Sequence, residues 1–189
     1  PDALYEKSRA LIMQNKEQAA VSVLEKLLKE YPNHEVTKQG GIQLGQVYFN
    51  LNDPNNSIRA YKHVAETYPN TEESRTAIKS LESVYKEIND IGTYASYVNT
   101  LGGSERITVS RQDSLTFLAA ENVYMRGQYA EAKASMDRYL QSYPKGAYAS
   151  DAHFYLGSVA HNQKDFNAAL SEFNEVIRLG SQKYLNDAL

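Results

Sequence analysis

The sequence predicts an all-α chain built as a solenoid of helical hairpins, and three observations predict it. Tyr-Pro recurs at Tyr31-Pro32, Tyr68-Pro69 and Tyr143-Pro144, with gaps of 37 and 75 residues, one period and two. Small residues recur in the same phase at Ala20, Ser57, Ala132 and Ala169, separated by 37, 75 and 37. Between these markers apolar residues follow spacings of 3, 4 and 7, which keep them on one stripe of a helix. No Val/Ile/Thr alternation bounded by turns marks a strand. A hairpin of this size buries its apolar faces only by stacking on its neighbours, so the period implies a core distributed along the chain.

The hairpins follow in order. The first, near 1–37, keeps Leu11, Ala20, Leu24, Leu27 and Pro32. The second, near 38–74, runs Leu44-Gly45 with Tyr48, a break at Asn52-Asp53-Pro54, then Ser57, Tyr61, Val64 and Tyr68-Pro69. The third, near 75–112, holds Leu81, Tyr85, Val98 and Leu101 in phase, but Tyr94 stands at the small position and no Pro follows. Leu101-Gly102-Gly103-Ser104 falls where the skipped Tyr-Pro belongs, so the second helix there is expected to end early, to sit further out and to change the curvature. The fourth, near 113–149, reads Ala119-Ala120 with Val123, then Ala132, Met136, Tyr139 and Pro144. The fifth, near 150–186, reads Leu156-Gly157 with Ala160, a break at Lys164-Asp165, then Phe166, Ala169, Phe173 and Val176, and the start of a truncated sixth follows. Asp53, Asp90 and Asp165 each precede a second helix, where a carboxylate accepts orphan amide hydrogens, and Pro54 suits the first helical position. Gly45, Ala120 and Gly157 on the first helices let the paired backbones approach closely.

Composition narrows the function. The hydrophobic class is 42% of the 189 residues, but 15 of these are Tyr, so the aliphatic complement falls short of the roughly 45–50% usual for globular domains. The core must be partly aromatic. The absence of Cys excludes disulfides, thiolate metal sites and Cys nucleophiles. Twenty Lys and Arg against 23 Asp and Glu give a net charge of −3, without the basic stripe of a nucleic-acid binder. No run reaches the apolar length of a membrane helix, and the first residues lack a basic segment followed by an apolar one. The missing initiator Met and the helical character of Tyr184-Leu185-Asn186-Asp187-Ala188-Leu189 read as a fragment of a longer protein, one domain over 1–189.

Chemistry-bearing patterns are sparse. His153 and His161 lie eight residues apart, rotated about 80° from each other on a helix, so they do not form an i, i+4 metal pair. Gly40-Gly41 and Gly102-Gly103 lack the spacing of a phosphate loop, and no Ser sits in a nucleophile elbow. Glu72-Glu73 reads as first-turn charge complementing a helix dipole. Asn55-Asn56-Ser57 matches a glycosylation sequon formally, but Ser57 occupies a buried small position. No catalytic residue, cofactor or metal is expected, and the chain is not expected to be an enzyme.

The pattern of Leu-Gly-x-x-Tyr, a small residue, an aromatic and a Pro resembles the tetratricopeptide repeat, with Leu44, Gly45, Tyr48, Ser57, Tyr61, Val64 and Pro69 as the fullest copy. The position where the family carries Trp is filled by Leu4, Gly41, Ile78, Thr116 and His153, and the period is 37 or 38 rather than 34. The longer period and the texture of Gly146-Ala147-Tyr148-Ala149-Ser150 resemble tetratricopeptide proteins of the Gram-negative cell envelope, which implies a periplasmic or outer-membrane-associated location, a cytoplasmic one otherwise. The family implies a right-handed α-α superhelix of five hairpins plus a truncated sixth. It further implies a non-enzymatic scaffold whose first helices line a concave groove for a protein or peptide. Carried onto this chain, the groove positions are Tyr5 in the first repeat and Ile42, Gln46, Phe49 and Asn50 in the second. The fourth supplies Phe117, Glu121 and Tyr124, and the fifth Phe154, Ser158 and His161. Rigid aromatics there give contact area at small entropic cost, although some could instead pack between repeats. The alternative is an architectural spacer or self-association segment of a larger cell-envelope protein.

Overall fold

The computed structural model describes residues 1–102, 106–180 and 183–184, and among them it forms ten α-helices and no strand. In chain order these are α1 (Asp2–Met13), α2 (Glu17–Glu30), α3 (Glu35–Asn50), α4 (Pro54–Thr67), α5 (Glu72–Glu87), α6 (Ile91–Leu101), α7 (Val109–Met125), α8 (Tyr129–Ser142), α9 (Ala149–Asn162) and α10 (Phe166–Arg178). They gather into two compact units, Pro1–Val84 and Tyr85–Leu189. No helix among the described residues is long and apolar enough to cross a membrane.

One turn, repeated five times, sets the hairpins. Asn15, Asn52, Asn89, Gly127 and Lys164 all adopt left-handed backbone, with φ of 56°, 56°, 55°, 75° and 64°, and they stand 37, 37, 38 and 37 residues apart. The amide of the next residue then reaches back five positions, closing a Schellman-type loop. These bonds are Lys16 to Leu11 at 2.9 Å, Asp53 to Tyr48 at 2.9 Å, Asp90 to Tyr85 at 2.9 Å, Gln128 to Val123 at 3.2 Å and Asp165 to Ala160 at 3.0 Å. Asn tolerates this conformation and Gly adopts it freely, whereas Lys164 does so against its Cβ. The expected caps follow directly. Asp53 accepts from the Asn56 amide at 3.1 Å, Asp90 from Thr93 at 3.3 Å and Asp165 from Ala168 at 3.1 Å, each replacing water on an orphan donor and contributing about 1 kcal/mol.

In the first unit α1 packs on α2, α2 on α3, and α3 on α4. Leu24 and Leu27 are fully buried, with Leu44, Val47 and Val64 around them, and each such side chain contributes roughly 1.5–3 kcal/mol by leaving water. Close approach of α3 to α4 depends on small residues. Gly45 lies against the buried Tyr61 ring, and the fully buried Ser57 hydroxyl donates to the Gly45 carbonyl at 2.8 Å. Ser57 is thus committed inside the hairpin, which removes the formal sequon from the surface. Gly40 and Gly41, within α3, face Leu27 and Val64 and serve packing.

The second unit packs α7 on α8, α8 on α9 and α9 on α10. Phe117, Ala120, Met136, Tyr139, Ala152, Tyr155 and Leu156 form its core. A buried polar knot ties the loop after Tyr143-Pro144 to it. The Tyr139 hydroxyl donates to Asp113 at 2.5 Å, the Ala147 amide donates to the other Asp113 oxygen at 2.8 Å, and the Tyr148 amide donates to the Tyr139 oxygen at 3.1 Å. Tyr94 fills the small position and is buried, its ring 5.9 Å from that of Tyr85. The helix bearing it is short: α6 has 11 residues where α2, α4 and α8 have 14, and it ends at Leu101 with Gly102 at φ 73°. Gly103, Ser104 and the truncated sixth hairpin lie outside the described residues.

Candidate functional site

The predicted groove residues fall into two groups, one in each unit. In the first unit Tyr5 is half-buried on α1, and Ile42 and Phe49 are half-buried seven residues apart on α3. Gln46 and Asn50 lie exposed on the same helix, where the Gln46 amide donates to Asn50 at 2.9 Å. This bond links two polar side chains one turn apart and leaves the Gln46 carbonyl oxygen and the Asn50 amide available to a ligand.

In the second unit Tyr124, Phe154, Ser158 and His161 come together. Phe154, Ser158, His161 and Asn162 occupy one face of α9 at helical spacing, and with Phe173 of α10 they line a cleft of about 380 Å³. The Phe154 ring stacks on Tyr184 at 4.1 Å and lies 5.9 Å from Phe173. His161 is exposed and meets Phe166 edge-on at 5.8 Å. Tyr124 packs 4.6 Å from Tyr155 and 5.3 Å from Tyr129. Burial pushes its phenol above the usual value, Tyr129 adds to this, and a hydrogen bond with Ser158 works against it. Glu121, half-buried on α7, accepts the Tyr155 hydroxyl at 2.7 Å. Burial first, and then this bond to a carboxylate, raises the Tyr155 phenol strongly, so Tyr155 stays a neutral donor and Glu121 a satisfied acceptor.

Phe117 corrects the expectation for its position. It is 2% exposed and stacks face to face on Tyr148 at 4.6 Å with an interplanar angle of 6°, which places it in the core and out of reach of a partner. His153, read as a substitute for the family's Trp, bonds through Nδ1 to Glu172 at 2.7 Å and joins α9 to α10. Sequence reasoning missed Tyr155. Its signal was in the register: Tyr155 occupies the position of Gln43 in the second repeat, and each reaches back to the preceding first helix, Gln43 accepting from Ser8 at 2.8 Å.

Models of the tetratricopeptide repeat match residues 2–34, 42–71 and 117–184, together about two thirds of the chain. The chain belongs to the tetratricopeptide-repeat family. No curated protein matches it significantly. Among solved structures, MamA residues 41 to end from Desulfovibrio magneticus RS-1 is 15% identical, covers 94% of this chain and 93% of its own, and has a TM-score of 0.46. A tetratricopeptide repeat protein from Parabacteroides merdae is also 15% identical, over 97% of this chain and 68% of its own, at 0.48. Tetratricopeptide repeats are commonly scaffolds for protein–protein interaction and typically non-enzymatic. The second hairpin carries the family's Leu-Gly, small-residue and Pro positions at Leu44-Gly45, Ser57 and Pro69, and the fifth repeats the first two at Leu156-Gly157 and Ala169; the first helices hold the exposed and half-buried residues described above.

Proposed function

We propose that this tetratricopeptide-repeat chain is a non-enzymatic scaffold that binds an extended or helical segment of another protein along its first helices. One observation carries the reading: Phe154, Ser158 and His161 line a single cleft with Asn162 and Phe173. An apolar floor with a few convergent polar groups is the composition of a recognition pocket. Partner side chains would be buried against Phe154 and Tyr124, with Ser158, His161 and Asn162 fixing register, and Ile42, Gln46, Phe49 and Asn50 offer similar chemistry on α3. Pull-down and crosslinking with wild type, Phe49→Ala, Tyr124→Ala and Phe154→Ala tests this; the variants should lose partners that wild type retains, and equal recovery of every partner defeats the proposal.

A second reading is self-association within a larger protein; what favours self-association is Phe166 and Leu170, 61% and 62% exposed one turn apart on α10. Light scattering separates the two readings. Oligomers that grow with concentration and vanish in Leu170→Glu favour self-association, whereas a monodisperse monomer that captures partners favours the groove.

A further inference from the structure

A cleft of about 550 Å³ lies in the first unit between α2 and α4, with α3 at its base. It is not the groove. On α3 it is lined by Leu44 and Tyr48, and at about 100° per residue Gln46 and Phe49 point roughly 140–160° away from Leu44. Its floor is apolar, formed by Leu28, Leu44 and Ala60. Its rim carries the cations Lys29 on one wall and Arg59 on the other, with His63 one turn beyond Arg59.

The one carboxylate in the cleft, Glu25, accepts the Tyr48 hydroxyl at 2.6 Å and keeps its negative charge, one turn from Lys29 on α2. Lys29 and Arg59 are exposed and make no hydrogen bond or ion pair among the described residues. The chain as a whole is acidic, at −3, whereas this cleft sets two cations against one carboxylate, a local excess of positive charge on the two walls of an apolar floor. That juxtaposition states what fits: negative charge on both flanks and an apolar group in the middle.

We propose that the cleft between α2 and α4 is a second docking site, separate from the groove, for an acidic peptide segment of a partner protein that inserts an aliphatic or aromatic side chain between Leu28, Leu44 and Ala60 while its flanking carboxylates meet Lys29 and Arg59. The wide mouth between two helices admits a chain passing across it, and opposed charges on the two walls fix the peptide by its flanks.

The test uses the full chain and three labelled peptides, Asp-Glu-Leu-Phe-Glu-Asp, Asp-Glu-Ala-Ala-Glu-Asp and Lys-Lys-Leu-Phe-Lys-Lys, titrated by fluorescence anisotropy at low salt. The first should bind, and the other two should bind at least about tenfold more weakly, because each lacks one of the two required features. Lys29→Gln with Arg59→Gln, both on the surface, should weaken the first peptide about tenfold, and raising the salt should weaken it further. Amide signals of Leu44, Arg59 and His63 should shift on binding, while those of Phe154 and Ser158 stay in place, and Tyr124→Ala should bind as wild type does. Absent binding, equal binding of the alanine or basic peptide, or loss of binding in Tyr124→Ala but not in the Lys29/Arg59 variant would each overturn the proposal. So would binding of octanoate without the peptide, which would reassign the cleft to a small amphiphile. None of these outcomes depends on whether the groove finds its own partner.

Discussion

Replacing glycine by alanine should act with opposite sign at two places in this chain, and the structure says how large the difference is. A Cβ at Gly45 would lie 2.6 Å from the Tyr61 ring, and one at Gly157 would lie 2.5 Å from the Phe173 ring, whereas one at Gly92 meets nothing within 4 Å. Carbon atoms prefer about 3.5–4.0 Å, so either ring must retreat by roughly 1 Å. Tyr61 is only 2% exposed, and its retreat pushes on a filled core at about 1–3 kcal/mol. Against that, alanine gains about 1 kcal/mol over glycine inside a helix. Three Tyr61 ring atoms would lie 2.6–2.8 Å from the new Cβ, which puts the cost at its upper end, so Gly45→Ala should lose about 2 kcal/mol net. Gly157→Ala should lose less, because Phe173 is half-buried and borders an open cleft. Gly92→Ala lies in the first turn of α6 and carries only the entropic gain, about 0.5 kcal/mol. Urea titrations followed by far-UV circular dichroism, compared at fixed slope, read these values from the midpoints. A Gly45→Ala protein as stable as wild type would refute close packing of α3 on α4, and a Gly92→Ala protein as damaged as Gly45→Ala would show that the spatial argument decides nothing.

Further outcomes follow from other parts of the structure. Tyr139→Phe removes a donor to the buried carboxylate of Asp113 and should cost about 2 kcal/mol in thermal unfolding; if it costs less in an Asp113→Ala background, the two act as a pair, and equal costs would dissolve the knot. Lys164→Gly should stabilise by about 0.5–1 kcal/mol, since Lys164 alone among the five turn residues is neither Asn nor Gly, and an unchanged urea midpoint would remove strain from that turn. Burial, then the hydrogen bond to Glu25, lifts the Tyr48 phenol from 10.0 to about 12, and burial likewise raises Tyr61 and, with its bond to Asp113, Tyr139. A raised folded-state value favours the neutral phenol, so this stabilisation is intact below pH 10 and is lost as pH climbs from about 10 to 12. Ultraviolet titration should show these phenols ionising together with loss of helix, and smooth ionisation with helix intact would contradict their burial.

How much of this was legible in the chain divides along the period. The hairpins, the caps at Asp53, Asp90 and Asp165, and the close approach at Gly45 and Gly157 were readable because the same steric need recurs at the same phase. The left-handed Asn15, Asn52 and Asn89 were equally readable, being 37 apart, and Asn is one of the few residues that accepts that conformation. What did not repeat could not be read this way. Phe117 occupies a groove position by register, yet Tyr148, from a loop outside any helix stripe, covers it. Asp113 is buried only because Tyr139, 26 residues on, and Ala147, 34 residues on, converge there.

The cleft between α2 and α4 belongs to the same class of feature, because no local pattern announces that Lys29 and Arg59 face each other across Leu28, Leu44 and Ala60. The second unit differs here: its cleft between α6, α7 and α8, about 220 Å³, is lined by Gln112, Thr116, Ser135 and Arg138 together with Ile91 and Tyr143, and the residue in phase with Arg59 is Ala134. A repeat protein holds its backbone by what its units share, so its specificity must be sought where they differ. In this chain the two proposed sites, the aromatic face of α9 and the cleft behind α3, are such places. If each takes its own segment, substitutions at Phe154 and at Arg59 should abolish different interactions, and a single partner lost from both variants would require one ligand spanning both sites.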